Sequence, residues 1–471
     1  MEANQAAGRK YIILAIVLTG VFMSVVDGIV VGIALPTITG HFHVSMARSQ
    51  WTITAYLLTL TSLLLICGRI SQTVGKTILF KAGFTVFTLG SLACGFSTNL
   101  TMLIVFRVLQ AIGGAMVFSI SGAIIYQTFP PRERGRAMGY LGSTVAVGSI
   151  AGPILGGLLV DALGWRYIFF LNVPIGIIVV AAAQRYLNLH EEDSRRFALD
   201  WVGALSFIFL LLSLMLFLGT LAEPAGKSEL LIAMCLLAVL FLAVFIWHER
   251  RHPEPLLDLR LFQNTRFLLP LLCMVLTFMA GFMLGVVGPF YLQGVMRLRP
   301  SQVGLIYMVV PCITIVAAPV SGWLYDKHHS PLYAAGGLIV LSFSYFLLGY
   351  AALLASLAVL VLAFVFNGFG GALFQSPNNT EVMNALPRQN LAIGSSLIAT
   401  MRNLGMSLGV SLASILVSSQ LSHAGFTGNI LHAEPHLLAR VISRVFQTAG
   451  ALIVIAALIA LAGLRAKRGR I

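Results

Sequence analysis

The chain alternates long runs of apolar residues with short polar segments. A helix of about 20 apolar residues crosses the hydrocarbon core of a bilayer, and runs close to or above that length recur along the whole sequence. The pattern predicts an all-α polytopic membrane protein with 14 transmembrane helices. We place these helices near residues 11–36, 51–68, 78–98, 101–125, 138–160, 166–187, 199–220, 229–247, 266–291, 302–325, 331–351, 355–377, 391–419 and 440–464.

The composition excludes several other classes of protein. Of the 471 residues, 58% are hydrophobic and 10% are charged, whereas about 25% of residues are charged in soluble domains. A water-soluble fold is therefore excluded, and so is a disordered chain, which would be poor in apolar residues. The five cysteines lie singly in apolar runs, so neither a disulfide framework nor a CxxC pair is available.

The charge distribution predicts the orientation of the chain. Cytoplasmic loops of membrane proteins carry an excess of Lys and Arg. Of the 30 Lys and Arg residues, 21 lie in the two tails and in the loops on the same side as the tails, and 7 lie on the other side. Both termini are therefore predicted to be cytoplasmic, in the inner or plasma membrane. Basic loops also explain the net charge of +14 without nucleic-acid binding.

Matching segments in the two halves of the chain indicate an internal repeat. Gly68 in GRISQTVGK corresponds to Gly322 in GWLYDKHHS, 254 residues later. Six helices need only about 190 residues, so this separation leaves room for two more helices between the halves. We predict a 6+2+6 arrangement of an amino-terminal six-helix bundle (1–190), two inserted linking helices (191–262) and a carboxyl-terminal six-helix bundle (263–471).

Six segments together carry a family resemblance. The chain resembles the major facilitator superfamily and, within it, the fourteen-helix drug:proton antiporter branch of QacA/EmrB type. The resemblance implies two bundles that rock around a midplane cavity, with the proton gradient as the energy source and no cofactor. The matching segments are VVDGIVVGIALPTI (25–38), WTITAYLLT (51–59), RVLQAIGGA (107–115), GSIAGPILGG (148–157), WRYIFFLNVPIG (165–176) and LDWVGALS (199–206).

The segment GSIAGPILGG resembles the antiporter motif GxxxGPxxGG of that branch. Gly148, Gly152 and Gly156 recur every four residues, so they share one helix face where another backbone can approach closely. Pro153 and Gly157 add a local bend. The resemblance implies that this face helps to seal and open the cavity, whereas general packing of small residues is the alternative.

Charged residues inside the predicted helices are candidates for function, because an ionised side chain at the centre of a membrane helix costs about 2.5–3.5 kcal/mol. Asp27 lies about 24 Å along the first helix, and Arg107 lies near the outer end of the fourth. We expect Asp27 to couple protons or bind a cation, with a structural role as the alternative. Arg107 either orders the cavity or tunes the protonation of Asp27.

Two further charges lie in the second half. Arg402 has no evident acidic partner, and either a functional role or the binding of carbonyl groups between helices would explain it. Glu381 is either a second protonatable site or a solvated helix end. Five aromatic residues are candidates for lining the cavity: Tyr56, Phe118, Tyr291, Tyr307 and Phe374.

The loops after the second and tenth helices resemble the superfamily's cytoplasmic loop motif. The first loop has Gln72 where the family has an acidic residue, and the second keeps the acid as Asp326. We hypothesise that Asp326 therefore carries more of the cytoplasmic gate than Gln72. The matching residues are Gly68, Gln72, Gly75 and Lys76 in the first loop, and Gly322, Asp326 and Lys327 in the second.

Other kinds of chemistry find little support. The histidines show no ligand spacing with Cys or paired carboxylates, so no metal site is predicted. No catalytic triad and no Walker A motif occurs, so we do not expect an enzyme. A sensor or membrane enzyme would need a soluble domain or a catalytic constellation.

The predicted function is the export of small amphipathic organic compounds, cations among them, in exchange for protons. The alternative on the same fold is a narrow exporter of one metabolite, amino acid or lipid, because the shape of the cavity decides the cargo. The predicted partners are the cargo, protons and membrane lipid, with the need for a periplasmic adaptor left open.

Overall fold

A computed structural model describes residues 2–130, 132–188, 200–222, 228–252, 257, 259–328, 330, 332–386, 391–426 and 430–468. The side chains of 2–8, 326, 391–396 and 464–468 lie outside this description. Within it the chain is almost entirely helical. The α-helices are α1 (Glu2–Phe42), α2 (Met46–Ser49), α3 (Trp51–Val74), α4 (Lys76–Gly95), α5 (Leu100–Thr128), α6 (Arg134–Ala162), α7 (Tyr167–Phe170), α8 (Asn172–Tyr186), α9 (Trp201–Leu221), α10 (Ser228–Glu249), α11 (Thr265–Gly294), α12 (Pro300–Tyr307), α13 (Val309–His328), α14 (Leu332–Leu354), α15 (Leu357–Asn384), α16 (Leu391–His423) and α17 (Pro435–Arg468).

The number of membrane spans agrees with the sequence prediction. The described residues contain 14 helical segments that are long and apolar enough to cross a bilayer. Three of these segments are interrupted, because α2 and α3, α7 and α8, and α12 and α13 each form one span. The protein is therefore an all-α polytopic membrane protein.

Local sequence sets where several helices begin and turn. Asn99 caps α5 by accepting a hydrogen bond from the Met102 amide at 2.8 Å, which satisfies a donor that the helix leaves unpaired. Asp200 caps α9 in the same way through the Gly203 amide at 2.8 Å. Gly75 between α3 and α4 has a φ of 96°, a backbone conformation that favours glycine.

The helices pack in two groups joined by a pair. In the first group α1 packs on α6, while α5 packs on α3 and α4, and α8 on α4. In the second, α14 packs on α15 and α17, and α11 on α16 and α17. Helix α10 packs on α9, which in turn contacts α3 and α16. The 6+2+6 division into 1–190, 191–262 and 263–471 stays a prediction, since the first boundary lies outside the described residues.

The two ends of the bundle differ in their contacts. At the end where α1 begins, called the basic end here, Lys10 forms an ion pair with Glu133 at 2.6 Å, and Arg9 donates to the Asn188 carbonyl at 3.1 Å. At the opposite end, called the sealed end here, the first half meets the second through α6 with α12 and α1 with α11. That the basic end faces the cytoplasm stays a prediction.

Candidate functional site

Asp27 and Arg107 form a buried ion pair inside the first half. The Arg107 Nη1 atom lies 2.6 Å from Asp27 Oδ2, and the two side chains are 1% and 0% exposed. Arg107 also donates from Nε to the Thr52 carbonyl at 3.1 Å. Its guanidinium lies over the Tyr56 ring, 3.9 Å from the centroid. The structure thus brings together Asp27 on α1 and Arg107 on α5, the two charges that the sequence singled out in the first half.

Three uncharged side chains complete this site, which we call the Asp27 cluster: Asp27, Ser91, Arg107, Gln110 and Asn172. Asp27 Oδ1 accepts hydrogen bonds from Gln110 Nε2 at 2.9 Å and from Asn172 Nδ2 at 3.1 Å. Both amides also donate to Ser91 Oγ, at 3.1 and 3.0 Å. All five residues are buried, so the cluster joins α1, α4, α5 and α8 away from solvent.

The donors around Asp27 suit an ionised carboxylate. Arg107, Gln110 and Asn172 all point N–H groups at its two oxygens. If Asp27 were protonated, its O–H hydrogen would face one of these N–H donors. The buried guanidinium of Arg107 would also lose its counter-charge. Removing one partner from a buried ion pair typically costs about 3–5 kcal/mol. The cluster is therefore sensitive to the protonation of one carboxylate.

Sequence reasoning missed the amides of this cluster. Gln110 lies three residues after Arg107 and hence on the same face of α5, and Asn172 lies in the segment WRYIFFLNVPIG. The spacing from Arg107 was an available signal for Gln110. Ser91 had none, because the contact between α4 and α8 depends on tertiary packing.

The antiporter segment packs tightly against α1. Added Cβ atoms at Gly148, Gly152 and Gly156 would lie between 2.6 and 3.2 Å from side-chain atoms of α1, the closest being Val30 Cγ2 at Gly156. Separations this short require a neighbour to move, so the glycine face allows α1 and α6 to approach. The surface of α1 that packs here belongs to the same helical turns as Asp27.

The same segment also contacts the second half at the sealed end. A Cβ added to Gly157 would overlap the carbonyl oxygen of Pro300 on α12, and one added to Gly304 would overlap the carbonyl oxygen of Pro153 on α6. The two glycines therefore let the backbones of α6 and α12 touch. The segment therefore packs within the first half and also contacts the second, and its role in sealing and opening a cavity stays a prediction.

Polar contacts reinforce the sealed end. Ser301 Oγ donates to Asp161 Oδ2 at 2.5 Å, and Gln293 Nε2 donates to the Ile33 carbonyl at 3.2 Å. Each bond joins a helix of the first half to one of the second. Near the basic end of α6, by contrast, a Cβ at Gly139 would meet nothing within 4 Å.

Two contacts at the gate loops each lie within one half. Lys76 donates to Gln127 Oε1 at 3.2 Å, and Lys327 lies 5.2 Å from the Trp323 ring centroid. Gln72 is exposed. Gly68 lies on the same helix as Gln72, and Gly322 lies on the same helix as Asp326. The Asp326 side chain lies outside the described residues, so its gate role stays a prediction.

Arg402 contrasts with Arg107. Its Nε atom is buried and has no hydrogen-bond partner among the residues that the structure describes. The guanidinium carbon lies 5.9 Å from the Phe118 ring centroid on α5 and 6.0 Å from the Phe278 ring centroid on α11. Arg402 thus lies between an aromatic ring of each half. Glu381, the other charge predicted in this half, accepts a hydrogen bond from Tyr325 at 2.6 Å.

The five aromatic candidates for the cavity lie in different surroundings, and their role as cavity lining stays a prediction. Tyr56 packs against Arg107, Tyr291 donates to the Ala352 carbonyl at 3.3 Å, and Phe374 is buried. All three are 2% exposed or less and belong to one buried apolar cluster that contains residues of both halves. Tyr307 donates to the Leu284 carbonyl at 2.9 Å within the second half. Phe118 is the candidate that the structure places beside Arg402.

The fold and its buried intramembrane charges define a membrane transporter. A match to the Major Facilitator Superfamily spans residues 17–410. The chain belongs to that family.

Several curated proteins resemble the chain over most of its length. The riboflavin transporter RibZ of Clostridioides difficile (strain 630) is 33% identical over 88% of this chain and 90% of its own length. The multidrug export protein EmrB of Escherichia coli (strain K12) is 29% identical over 92% and 85%. The multidrug resistance protein Stp of Mycobacterium tuberculosis (strain CDC 1551 / Oshkosh) is 30% identical over 89% and 76%.

Solved structures share the fold at low sequence identity. A bacterial homologue of the human lysosomal transporter Spinster, in an inward-facing and unoccupied conformation, is 17% identical with a TM-score of 0.70 over 97% of both chains. A POT peptide transporter in complex with sulfate is 14% identical with a TM-score of 0.70 over 95% of this chain and 93% of its own.

Proposed function

We propose that the protein exports amphipathic organic compounds across the plasma membrane in exchange for protons. The observation that carries this proposal is Asp27, a carboxylate wholly buried in a transporter fold and paired with Arg107 at 2.6 Å. An intramembrane ionisable residue is kept for function by default, because burying it is costly. Members of the same family named as multidrug exporters support the direction of transport.

Helix α1 links the proton site to the seal. Asp27 points to the cluster on α5 and α8, while Ile29 and Val30 pack on the glycine face of α6 within the next turn. Protonation of Asp27 releases Arg107 and alters the position of this turn. Since the same stretch of α6 touches α12 at the sealed end, the change passes to the contact between the halves.

The arrangement fits one state of an exchange cycle. With the predicted topology the sealed end is the outer one, so the halves are closed towards the outside and Asp27 is surrounded by donors that suit its ionised form. This is the state in which an antiporter has released its proton inward and accepts cargo from the cytoplasm. Opening of the outer seal would then expose Asp27 to a new proton.

Arg402 favours a particular class of cargo. The Arg402 Nε atom is buried without a hydrogen-bond partner in the described residues and lies between Phe118 and Phe278, which suits an aromatic compound with an anionic or electron-rich polar group. Asp27, the buried carboxylate of the first half, is already paired with Arg107 and is therefore not available to bind a cationic cargo. We therefore expect neutral or anionic amphipathic compounds to be carried better than the organic cations that the sequence analysis included.

A narrow exporter of one metabolite is the second candidate. The observation in its favour is the similarity to RibZ, a protein named as a riboflavin transporter. Riboflavin is itself an aromatic compound with polar groups, so it suits the surroundings of Arg402.

Transport into proteoliposomes tests both candidates. The purified protein is reconstituted, a pH gradient is imposed, and the accumulation of riboflavin, an anionic dye and a cationic dye is measured. Broad export predicts gradient-driven accumulation of both riboflavin and the anionic dye. A narrow exporter predicts riboflavin alone, and the absence of gradient-driven accumulation for every compound would contradict the proposal.

A further inference from the structure

A second cluster of ionisable side chains lies at the basic end of the helices α9 and α10, apart from the Asp27 cluster. Asp200 stands immediately before α9, His248 and Glu249 end α10, and His252 lies in the turn that follows. His252 donates its backbone N–H to the His248 carbonyl at 2.9 Å, so the helical spacing continues to it. The two imidazoles therefore lie on one face.

The donor atoms of this cluster converge. His248 Nε2 lies 2.7 Å from Asp200 Oδ1. One ligand atom from each of Asp200, His248 and His252 lies within 4.8 Å of the other two, and the imidazole centroids are 5.1 Å apart. Tetrahedral coordination separates ligand atoms by about 3.3 Å when the bonds are about 2.0 Å long. Small rotations of the side chains would reach that geometry.

Two buried carboxylate oxygens in the same place have no hydrogen-bond donor. Asp200 Oδ2 and Glu249 Oε1 are both inaccessible and unpaired among the described residues, and Glu249 is only 4% exposed. A Cβ added to Gly203 would collide with both atoms, so the two oxygens lie together above the first turn of α9. Two buried carboxylate oxygens held this close without a donor are costly, and a bound cation would satisfy both.

The chemistry of the donors identifies the cation. Imidazole nitrogen and carboxylate oxygen together suit Zn²⁺, which binds three protein ligands and a water in open sites. Mg²⁺ prefers oxygen ligands throughout. We propose that Asp200, His248 and His252 bind a zinc-type divalent cation, with Glu249 Oε1 accepting a hydrogen bond from a water in the fourth position.

The position of the site gives it a structural consequence. Asp200 belongs to the start of α9, which packs on α3 and α16, one helix from each half. Glu249 Oε2 accepts the Leu257 amide at 3.0 Å, in the segment that leads to α11. A bound cation would fix α9 to α10 and to the entrance of the second half. Sequence reasoning missed this site, although His248, Glu249 and His252 form an HExxH pattern that is typical of zinc ligands on a helix. Asp200 had no such signal, because 48 residues separate it from His248.

Metal binding to the purified full-length protein tests the proposal. The protein carries an affinity tag without histidines, is stripped with a chelator, and is titrated with Zn²⁺ and separately with Co²⁺. We expect one tightly bound Zn²⁺ per chain and visible Co²⁺ absorption of a tetrahedral site. His252→Gln should weaken Zn²⁺ binding by more than about tenfold and abolish the Co²⁺ absorption.

A matched variant separates this site from adventitious binding. His432 and His436 have the same four-residue spacing but lie exposed near the sealed end, so His436→Gln should leave the affinity unchanged. Zn²⁺, but not Mg²⁺, should raise the unfolding temperature of the parental protein, a measurement that needs no variant to fold. Parental affinity in His252→Gln, or no bound Zn²⁺ in the parental protein, would overturn the proposal.

Discussion

Arg107 in the first half and Arg402 in the second are two arginines inside the helical bundle, the first buried and the second partly buried, with opposite surroundings. Arg107 is enclosed by a carboxylate, an amide, a backbone carbonyl and an aromatic ring. Arg402 has aromatic rings of both halves near it and no hydrogen-bond partner at Nε in the described part of the chain. An ion pair inside the protein stabilises the fold as long as its carboxylate stays ionised, whereas a donor without a partner, such as Arg402 Nε, is available to a ligand. The comparison supports the proposal that the first half couples protons and the second recognises the cargo.

The largest expected effect comes from breaking the paired side of this comparison. Arg107→Gln leaves Asp27 buried without its counter-charge and should lower the free energy of unfolding by about 3–5 kcal/mol. Asp27→Asn does the same to Arg107 and should also abolish proton-coupled transport. The double variant Asp27→Asn/Arg107→Gln removes both charges and should recover most of the lost stability.

Chemical or thermal unfolding in detergent measures the three variants against the parental protein. If each single variant is as stable as the parental protein, Asp27 and Arg107 do not stabilise the fold as a pair. Arg107 would then not differ from Arg402 in its contribution to stability.

The seal between the halves gives the next largest effect. Gly157→Ala adds a Cβ that overlaps the Pro300 carbonyl, and overpacking of this kind costs about 1–3 kcal/mol. The overlap destabilises the state in which α6 and α12 are in contact, so the population should shift towards the state that is open at the sealed end. Labelling of single cysteines placed at the two ends of the cavity reports the shift.

Gly139→Ala is the matched control for the seal. It lies on the same helix, and its Cβ would meet nothing within 4 Å, so the labelling should not change. Equal labelling in both variants would contradict the seal.

The unpaired side of the comparison predicts a smaller change. Arg402→Gln removes a charge for which the described residues show no ion pair, so no buried carboxylate loses its counter-charge and the free energy of unfolding should fall less than in Arg107→Gln. The KM for an anionic cargo should rise about tenfold, equivalent to about 1.4 kcal/mol, while a neutral cargo should change less. Arg402→Lys keeps the charge and should restore part of the affinity. An unchanged KM for every cargo would remove Arg402 from recognition.

The gate loops give the smallest expected effect. A carboxylate at a helix amino end contributes about 0.3–1 kcal/mol, so Gln72→Asp should shift the population modestly towards the outward-facing state. Asp326→Asn should shift it the other way. The same cysteine labelling measures both, and no change in either variant would mean that the loops do not latch the halves.

The sequence predicted the spans because a bilayer imposes one length and one composition on every helix that crosses it. It also predicted Asp27 and Arg107, since charges stand out in an apolar background. The aromatic residues were less predictable. Tyr56 and Phe118 look alike in sequence, and only packing decides that one supports Arg107 while the other faces Arg402. The amide of Asn172 and the carboxylate of Asp200 depend on contacts between distant helices, which no local pattern reveals.

Gradient-driven transport by the charge-free double variant tests the central claim most directly. Proteoliposomes containing the parental protein or Asp27→Asn/Arg107→Gln are loaded with cargo, and accumulation under a pH gradient is compared with cargo exchange at equal pH. The account predicts that the parental protein does both, and that the double variant exchanges cargo but no longer responds to the gradient. Accumulation by the double variant at the parental rate under the gradient would show that Asp27 does not carry the coupled proton.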